Sequence, residues 1–178
     1  MKPWVVDFDD FSESNHRLDL LWLLWKQHPG FKATLFAPVE LVSPQFGRHI
    51  RNAYPWLDLV PHGRLHYTAH ECEDWTYGEA EEYIDEIDTE LWTRGFKAPG
   101  WLISDGMYAA LDEQGWWVAD QTYNDLRRPP SLRAYLLNEP RKRHHHIQND
   151  CGNGLEECFD DLMGLDSERG FGFVKDEV

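Results

Sequence analysis

The sequence predicts an α/β domain built on a mainly parallel sheet, open or closed into a partial barrel. Short apolar runs rich in Val, Leu and aromatic residues recur along the chain, and amphipathic helical stretches separate them. Polar residues with acid/base or metal-binding chemistry follow several of these runs. In parallel sheets ligands bind beyond the carboxyl ends of the strands, so those residues define the candidate site.

Val5-Val6-Asp7-Phe8 reads as a short buried strand. Ser12 or Ser14 is placed to cap a helix running to about His28, with Leu18, Leu21, Trp22 and Trp25 on one face and Pro29-Gly30 as its stop. Ala33 to Ala37 is a second strand. Ser43-Pro44 is an N-cap followed by proline at the first helical position, opening a helix to about Tyr54. Leu57 to Val60 is a third strand, stopped by Pro61. A long loop leads to a helix from about Gly78 to Arg94, with Ala80, Ile84, Ile87 and Leu91 as its apolar stripe. Gly95 to Ala98 leads into a short strand and a Pro99-Gly100 turn. Ser104 caps a helix ending at Gly115, and Trp116 to Ala119 is a further strand. Leu132 to Leu137 fits either state. Arg143 to Ile147 is a last strand, Gly154 to Met163 a last helix, and the tail after Gly164 is expected to be loosely held.

The 178 residues fit one domain, with a core at about 4–163, and a 42% hydrophobic content supplies one buried core. A formal net charge of −15 argues against a nucleic-acid partner, which would require neutralising phosphates. No apolar run reaches the roughly 20 residues that span a bilayer, and the N-terminus lacks the apolar stretch of a secretory signal. The expectation is a cytoplasmic protein with no membrane partner, or one released without a cleaved signal. The oligomeric state is left open. Cys72, Cys151 and Cys158 are an odd, scattered set, read as reduced thiols. The acidic run Glu79 to Glu90 reads as a solvated helix face. The clusters Arg127-Arg128 and Arg141-Lys142-Arg143 read as solvated surface.

The chemistry gathers at five strand ends. Asp9 and Asp10 follow the first strand, His62 and His66 the third, Lys97 and Trp101 flank the next turn, Asp120 follows Trp116 to Ala119, and His144 and His146 lie in the last strand. His62-Gly63-Arg64-Leu65-His66 has H-x-x-x-H spacing, which can bring two imidazoles to one metal ion; the same spacing recurs at His66 and His70. Two imidazoles and one carboxylate leave open positions for water on a divalent ion, whose pKa falls toward about 7, and a second carboxylate can take the proton. Such a donor set suits Zn²⁺, with Co, Ni, Mn or Fe as alternatives. His144 and His146 share one face of their strand while His145 points away.

Phe8-Asp9-Asp10, then His62-x-x-x-His66, then Phe96-Lys97-Ala98-Pro99-Gly100-Trp101, then Asp120, then a late histidine occur in that order, over about residues 4–160. The chain thereby resembles the polysaccharide deacetylase (NodB-homology) superfamily. The resemblance implies a distorted or partial (β/α) barrel and a metal-dependent hydrolase removing acetyl groups from N-acetylated, less readily O-acetylated, sugars. It implies Asp9 as base, Asp10, His62 and His66 as metal ligands, and Lys97 beside the base. It also implies His146 as the acid that protonates the departing amine, with His144 as its alternate, and Asp120 as its support. Trp101 and Trp75, close in sequence to site residues, are expected to wall the sugar. Two positions depart from the family pattern. Phe11 stands where the family has glycine, and Lys97 where it has arginine, offering a point charge and not a planar fork. The His62 to Trp75 segment resembles that of unclassified, often phage-borne members, whose host cytoplasm would then be the compartment.

Two other readings compete. Val5-Val6-Asp7-Phe8-Asp9-Asp10 also resembles the opening of haloacid-dehalogenase-type phosphatases, with Asp7 as nucleophile, Asp9 as acid, and Lys97 and Asp160-Asp161 as later site residues. A catalytically decayed metal- or sugar-binding module of the deacetylase fold would account for Lys97 and Phe11.

Overall fold

Trp4–Asp9 forms β1, on which the sheet is assembled. Along it Val6 and Phe8 join the core beneath the helices, while Val5 faces the inside of the curl. The alternation puts Asp7 and Asp9 on the same side as Val5. The computed structural model describes residues 1–148 and 153–178, so Cys151 lies outside the described residues. β2 (Ala33–Ala37), β3 (Leu57–Pro61) and β7 (Lys142–His146) complete a run ordered β3-β2-β1-β7. β4 (Gly95–Lys97), β5 (Trp117–Asp120) and β6 (Arg133–Leu136) form a second run, β4-β5-β6. All these pairings are parallel. Thr93 N–H donates to the Leu59 carbonyl (2.9 Å), tying the approach to β4 onto β3. The mainly parallel sheet curls into a half-barrel with helices outside it, as the sequence predicts.

Two apolar layers hold the curl. Val5, Phe36, Val60, Trp117, Ala119, Tyr135 and Val174 fill its inside. The larger layer lies under α1 (Leu18–Gln27), α2 (Pro44–Ala53), α3 (Tyr77–Asp85), α4 (Asp105–Glu113) and α5 (Leu155–Met163). Gly95 allows β4 and β5 to approach, because a Cβ there would sit 2.1 Å from the Trp117 ring. Helix starts at α2 and α4 follow the sequence signals: Ser43 accepts from Phe46 N–H (3.2 Å) with Pro44 first in the helix, and Ser104 accepts from Met107 N–H (2.9 Å). No described helix is long and apolar enough to cross a membrane.

Five local expectations are corrected. Neither Ser12 nor Ser14 caps α1: Ser12 Oγ accepts from Asn15 N–H in a turn of its own, and the helix begins after Arg17, which has φ 42° and no side-chain cap. Its buried face is Leu21 and Leu24, while Trp22 and Trp25 are exposed. α3 is capped by Thr76 and Glu79 and stops at Asp85; Ile87 and Leu91 are buried from the turns that follow. The tail is held: β8 (Phe171–Gly172) pairs with the start of β1, Val174 is fully buried, and Arg141 pairs with Glu177 and Glu139. Arg141 is therefore a buried strut and not solvated surface.

Candidate metal centre

The strand ends meet on one rim. Asp9 closes β1, and Asp10 turns away from it with φ 63°, so adjacent carboxylates are directed differently. Asp10 Oδ2 accepts from His146 Nδ1 (2.8 Å) and Gln148 Nε2 (3.0 Å), leaving Oδ1 toward His66 Nε2 (3.4 Å) and His62 Nε2 (3.9 Å). Four ligands on a tetrahedral ion with bonds of about 2.0–2.1 Å lie roughly 3.3 Å apart, so these separations are close to a ligand set.

His62 is the most informative member. Its Nδ1 lies 2.9 Å from the Lys97 carbonyl, which can only accept, so Nδ1 carries the proton and Nε2 the lone pair. Nε2 is buried and has no hydrogen-bond partner among the described residues. Burial holds the imidazole near a pKa of about 4, against opposing attraction from Asp9, so the lone pair is available throughout the neutral range. A buried, oriented, unpartnered acceptor beside a carboxylate and a second imidazole fits a metal ion. His70, the alternative partner in spacing, is exposed and bonded to Glu73 (2.6 Å).

A second group, Asp9, His144 and His146, has metal-like proximity too, with ligand atoms within 4.8 Å of one another as in the first. That space already holds a cation. The Lys97 ammonium, 1% exposed, donates to both oxygens of Asp9 and lies 3.3 Å from His144 Nε2. A divalent ion there would face the like charge of Lys97. Burial alone would raise the Asp9 carboxyl, but Lys97, with His62 and His144, outweighs it and keeps Asp9 well below the carboxylate range. Burial likewise opposes ionisation of Asp10, and the His146 hydrogen bond and His62 outweigh it.

His144 sits in the middle of the inward face. Its Nδ1 bonds Asp7 Oδ1 (2.6 Å), a carboxylate 1% exposed that also accepts from Tyr135 Oη (3.5 Å). The Trp101 ring stands 5.4 Å from the His144 ring and 4.0 Å from Lys97 Nζ, forming a wall beside the imidazole.

Two expected groupings do not occur. Asp120 bonds Tyr108 Oη (2.7 Å), Asn124 Nδ2 (2.8 Å) and Arg128 Nη1 (2.9 Å), and neither His144 nor His146 is among its partners. Its role is to anchor the 122–128 loop, whose Asn124 reaches the Trp101 carbonyl (3.5 Å); Arg128, read as surface, is drawn inward by the same ion pair. Trp75 does not join Trp101. It packs on Tyr83 (5.0 Å) and lines a separate cavity of about 340 Å³ with Arg64, Tyr67 and Glu71. Phe11 is wholly buried, stacked on Phe46 at 6.0 Å, and packs the core without obstructing the carboxylates. Cys72 and Cys158 are buried thiols, pushed upward chiefly by burial, Cys158 to about 11.

No protein-family model and no curated protein matches the chain. Solved structures do. The Xyl-CE4 domain of a multidomain xylanase from the hindgut metagenome of Trinervitermes trinervoides superposes with a TM-score of 0.64 at 14% identity, covering 99% of this chain and 89% of that one. The chain shares the fold of that domain. A family 4 acetyl xylan esterase from Clostridium thermocellum, in complex with a cobalt ion, gives a TM-score of 0.63 at 15% identity over 95% of this chain and 86% of its own. At these identities the likeness is one of fold.

Proposed function

We propose that the protein is a metal-dependent hydrolase that removes acetyl groups from N-acetylated sugars. Asp10, His62 and His66 hold one divalent ion, with zinc the best match to the donor set. The observation that carries this is His62 Nε2: buried, fixed in tautomer and without a partner among the described residues, beside Asp10 and His66. The cobalt-bound family 4 esterase of the same fold supports it.

An ion so held would polarise the acetyl carbonyl and acidify a water. Asp9, kept ionised by Lys97, would be the group to accept a proton from that water. His144, not His146, is the acid that protonates the departing nitrogen. Its Nδ1–H donates to the buried Asp7, and its Nε2 is 3.7 Å from Asp9 Oδ2. Two carboxylates, Asp7 and Asp9, thus lie beside its ring nitrogens, with Lys97 paired to Asp9. His146 instead orients Asp10, as a carboxylate ligand requires. Trp101 walls the sugar ring beside His144.

Lys97 makes the carboxylate contact needed of it, and Phe11 is a core residue, so neither supports a decayed site. The phosphatase reading loses Asp7, tied to His144 and Tyr135, and Asp160 and Asp161, which are exposed on α5. Acetate release from a chito-oligosaccharide or peptidoglycan fragment is the test. It should be abolished by a chelator and restored by Zn²⁺ or Co²⁺, and Asp9→Asn should bind the ion yet lose about 10²–10⁴-fold in rate. Release that persists in chelator, or none from any acetylated glycan with metal bound, would overturn the proposal.

A further inference from the structure

The segment carrying His66 is not a helix. Between β3 and Thr68 no regular element forms, Gly63 has φ 73° and His66 has φ 52°, a left-handed backbone that non-glycine residues adopt at a cost. Something must hold His66 there, and the backbone polar groups show what. On the carbonyl side, Gly63 accepts from Val39 N–H (3.1 Å) and Tyr83 Oη (3.1 Å), and Arg64 accepts from Glu40 N–H (3.0 Å). On the other side, three successive N–H groups turn toward one side chain. Arg64 N–H donates to Glu71 Oε1 (2.5 Å), Leu65 N–H reaches the same oxygen (3.4 Å), and His66 N–H donates to Glu71 Oε2 (2.5 Å). Convergent backbone N–H groups form an anion-binding concavity, filled here by the chain's own carboxylate. Gly63 allows the close approach: a Cβ there would lie 3.2 Å from the Glu71 carboxylate and 2.9 Å from Pro99.

We propose that Glu71 is the positioning residue of the metal centre, setting the backbone of residues 64–66 so that His66 Nε2 meets Asp10 and His62. The inference rests on the metal-site reading above. Glu71 is not itself a ligand in this arrangement, because both its oxygens are taken by backbone donors. Gln cannot replace it: an amide presents one acceptor and one donor to a ring of donors. His66 is the only ligand on this segment, so the effect of Glu71 must pass through it.

The experiment is a double-mutant cycle read by Co²⁺ and Zn²⁺ affinity in competition with a chelating dye. Glu71→Gln should weaken binding by on the order of 10–100-fold, as loss of a ligand-orienting group does, and the visible spectrum of the Co²⁺ form should change. In a His66→Ala background Glu71→Gln should cost nothing further. An equal loss in both backgrounds would mean that Glu71 acts on the fold at large and would overturn the proposal. Amide chemical shifts of the metal-free protein give an independent reading. The Arg64 and His66 amide protons, bonded to a charged acceptor, should move upfield in Glu71→Gln; if they do not move, the cradle does not exist. A parent chain that binds no ion, yet shows these amide shifts, would remove the metal reading and leave the cradle standing.

Discussion

Asp7→Asn separates the roles of the two inward histidines. Asp7 is 1% exposed and its carboxylate is 2.6 Å from His144 Nδ1. A hydrogen bond to a charged group is worth about 1.5–3 kcal/mol, so replacing the carboxylate by a neutral amide should withdraw that much from the imidazolium. Each 1.36 kcal/mol is tenfold, so the acid step should slow by about one to two orders of magnitude. Asn is nearly isosteric and its carbonyl can still accept from Nδ1–H, so the fold and the metal site should persist. The assay compares an N-acetylated sugar with an acetyl ester of a good leaving group. Only the amide needs its nitrogen protonated, so only the amide should slow by the full factor. His144→Ala should show the same selectivity, whereas His146→Ala should act on metal affinity. Equal slowing of amide and ester in Asp7→Asn, or amide-selective loss in Asp120→Asn instead, would refute the assignment.

Two further outcomes follow from the charges at the centre. Lys97→Met leaves Asp9 buried without its cation and should destabilise the metal-free protein by about 3–5 kcal/mol in urea unfolding. In the chelated protein, burial holds His62 near 4 against an ordinary 6.5, so the unfolded chain takes up this proton first as pH falls. Stability should therefore decline as pH drops from about 6.5 to 4, with His145, also lowered by burial, contributing in the same direction. The raised group, His146, acts only above 6.5, and Asp9 and Asp10 only below their ordinary value of 3.8. His62→Gln should flatten the urea midpoint between pH 7 and 4.5.

The sequence made the strand ends legible because a buried parallel strand is a short apolar run and its carboxyl end is where polarity resumes. Asp9, Asp10, His62, Lys97 and Asp120 all fall at or just beyond such ends, whereas His146 closes β7, a polar strand marked only by its run of histidines. The partner of the late histidine was not legible, since it depends on register. Asp7 lies opposite His144 and Asp9 opposite His146 across β1 and β7. The period of two was a usable signal: it puts Asp7 and Asp9 on one face, and His144 and His146 on one face. Without the register, Asp7 suggests only a phosphatase nucleophile. Glu71 gave no signal, because a carboxylate bonded to backbone N–H groups needs no particular neighbour in sequence. The tail is illegible for a related reason: Val174 looks like any terminal valine, and only the fold packs it inside the curl with Val5 and Tyr135.

Anomalous diffraction from crystals grown with one equivalent of Co²⁺ tests the central claim most directly. The account predicts one peak per chain, within about 2.0–2.2 Å of Asp10 Oδ1, His62 Nε2 and His66 Nε2, with Lys97 still on Asp9. A peak among Asp9, His144 and His146 with Lys97 displaced, or no peak in the presence of the ion, would contradict it.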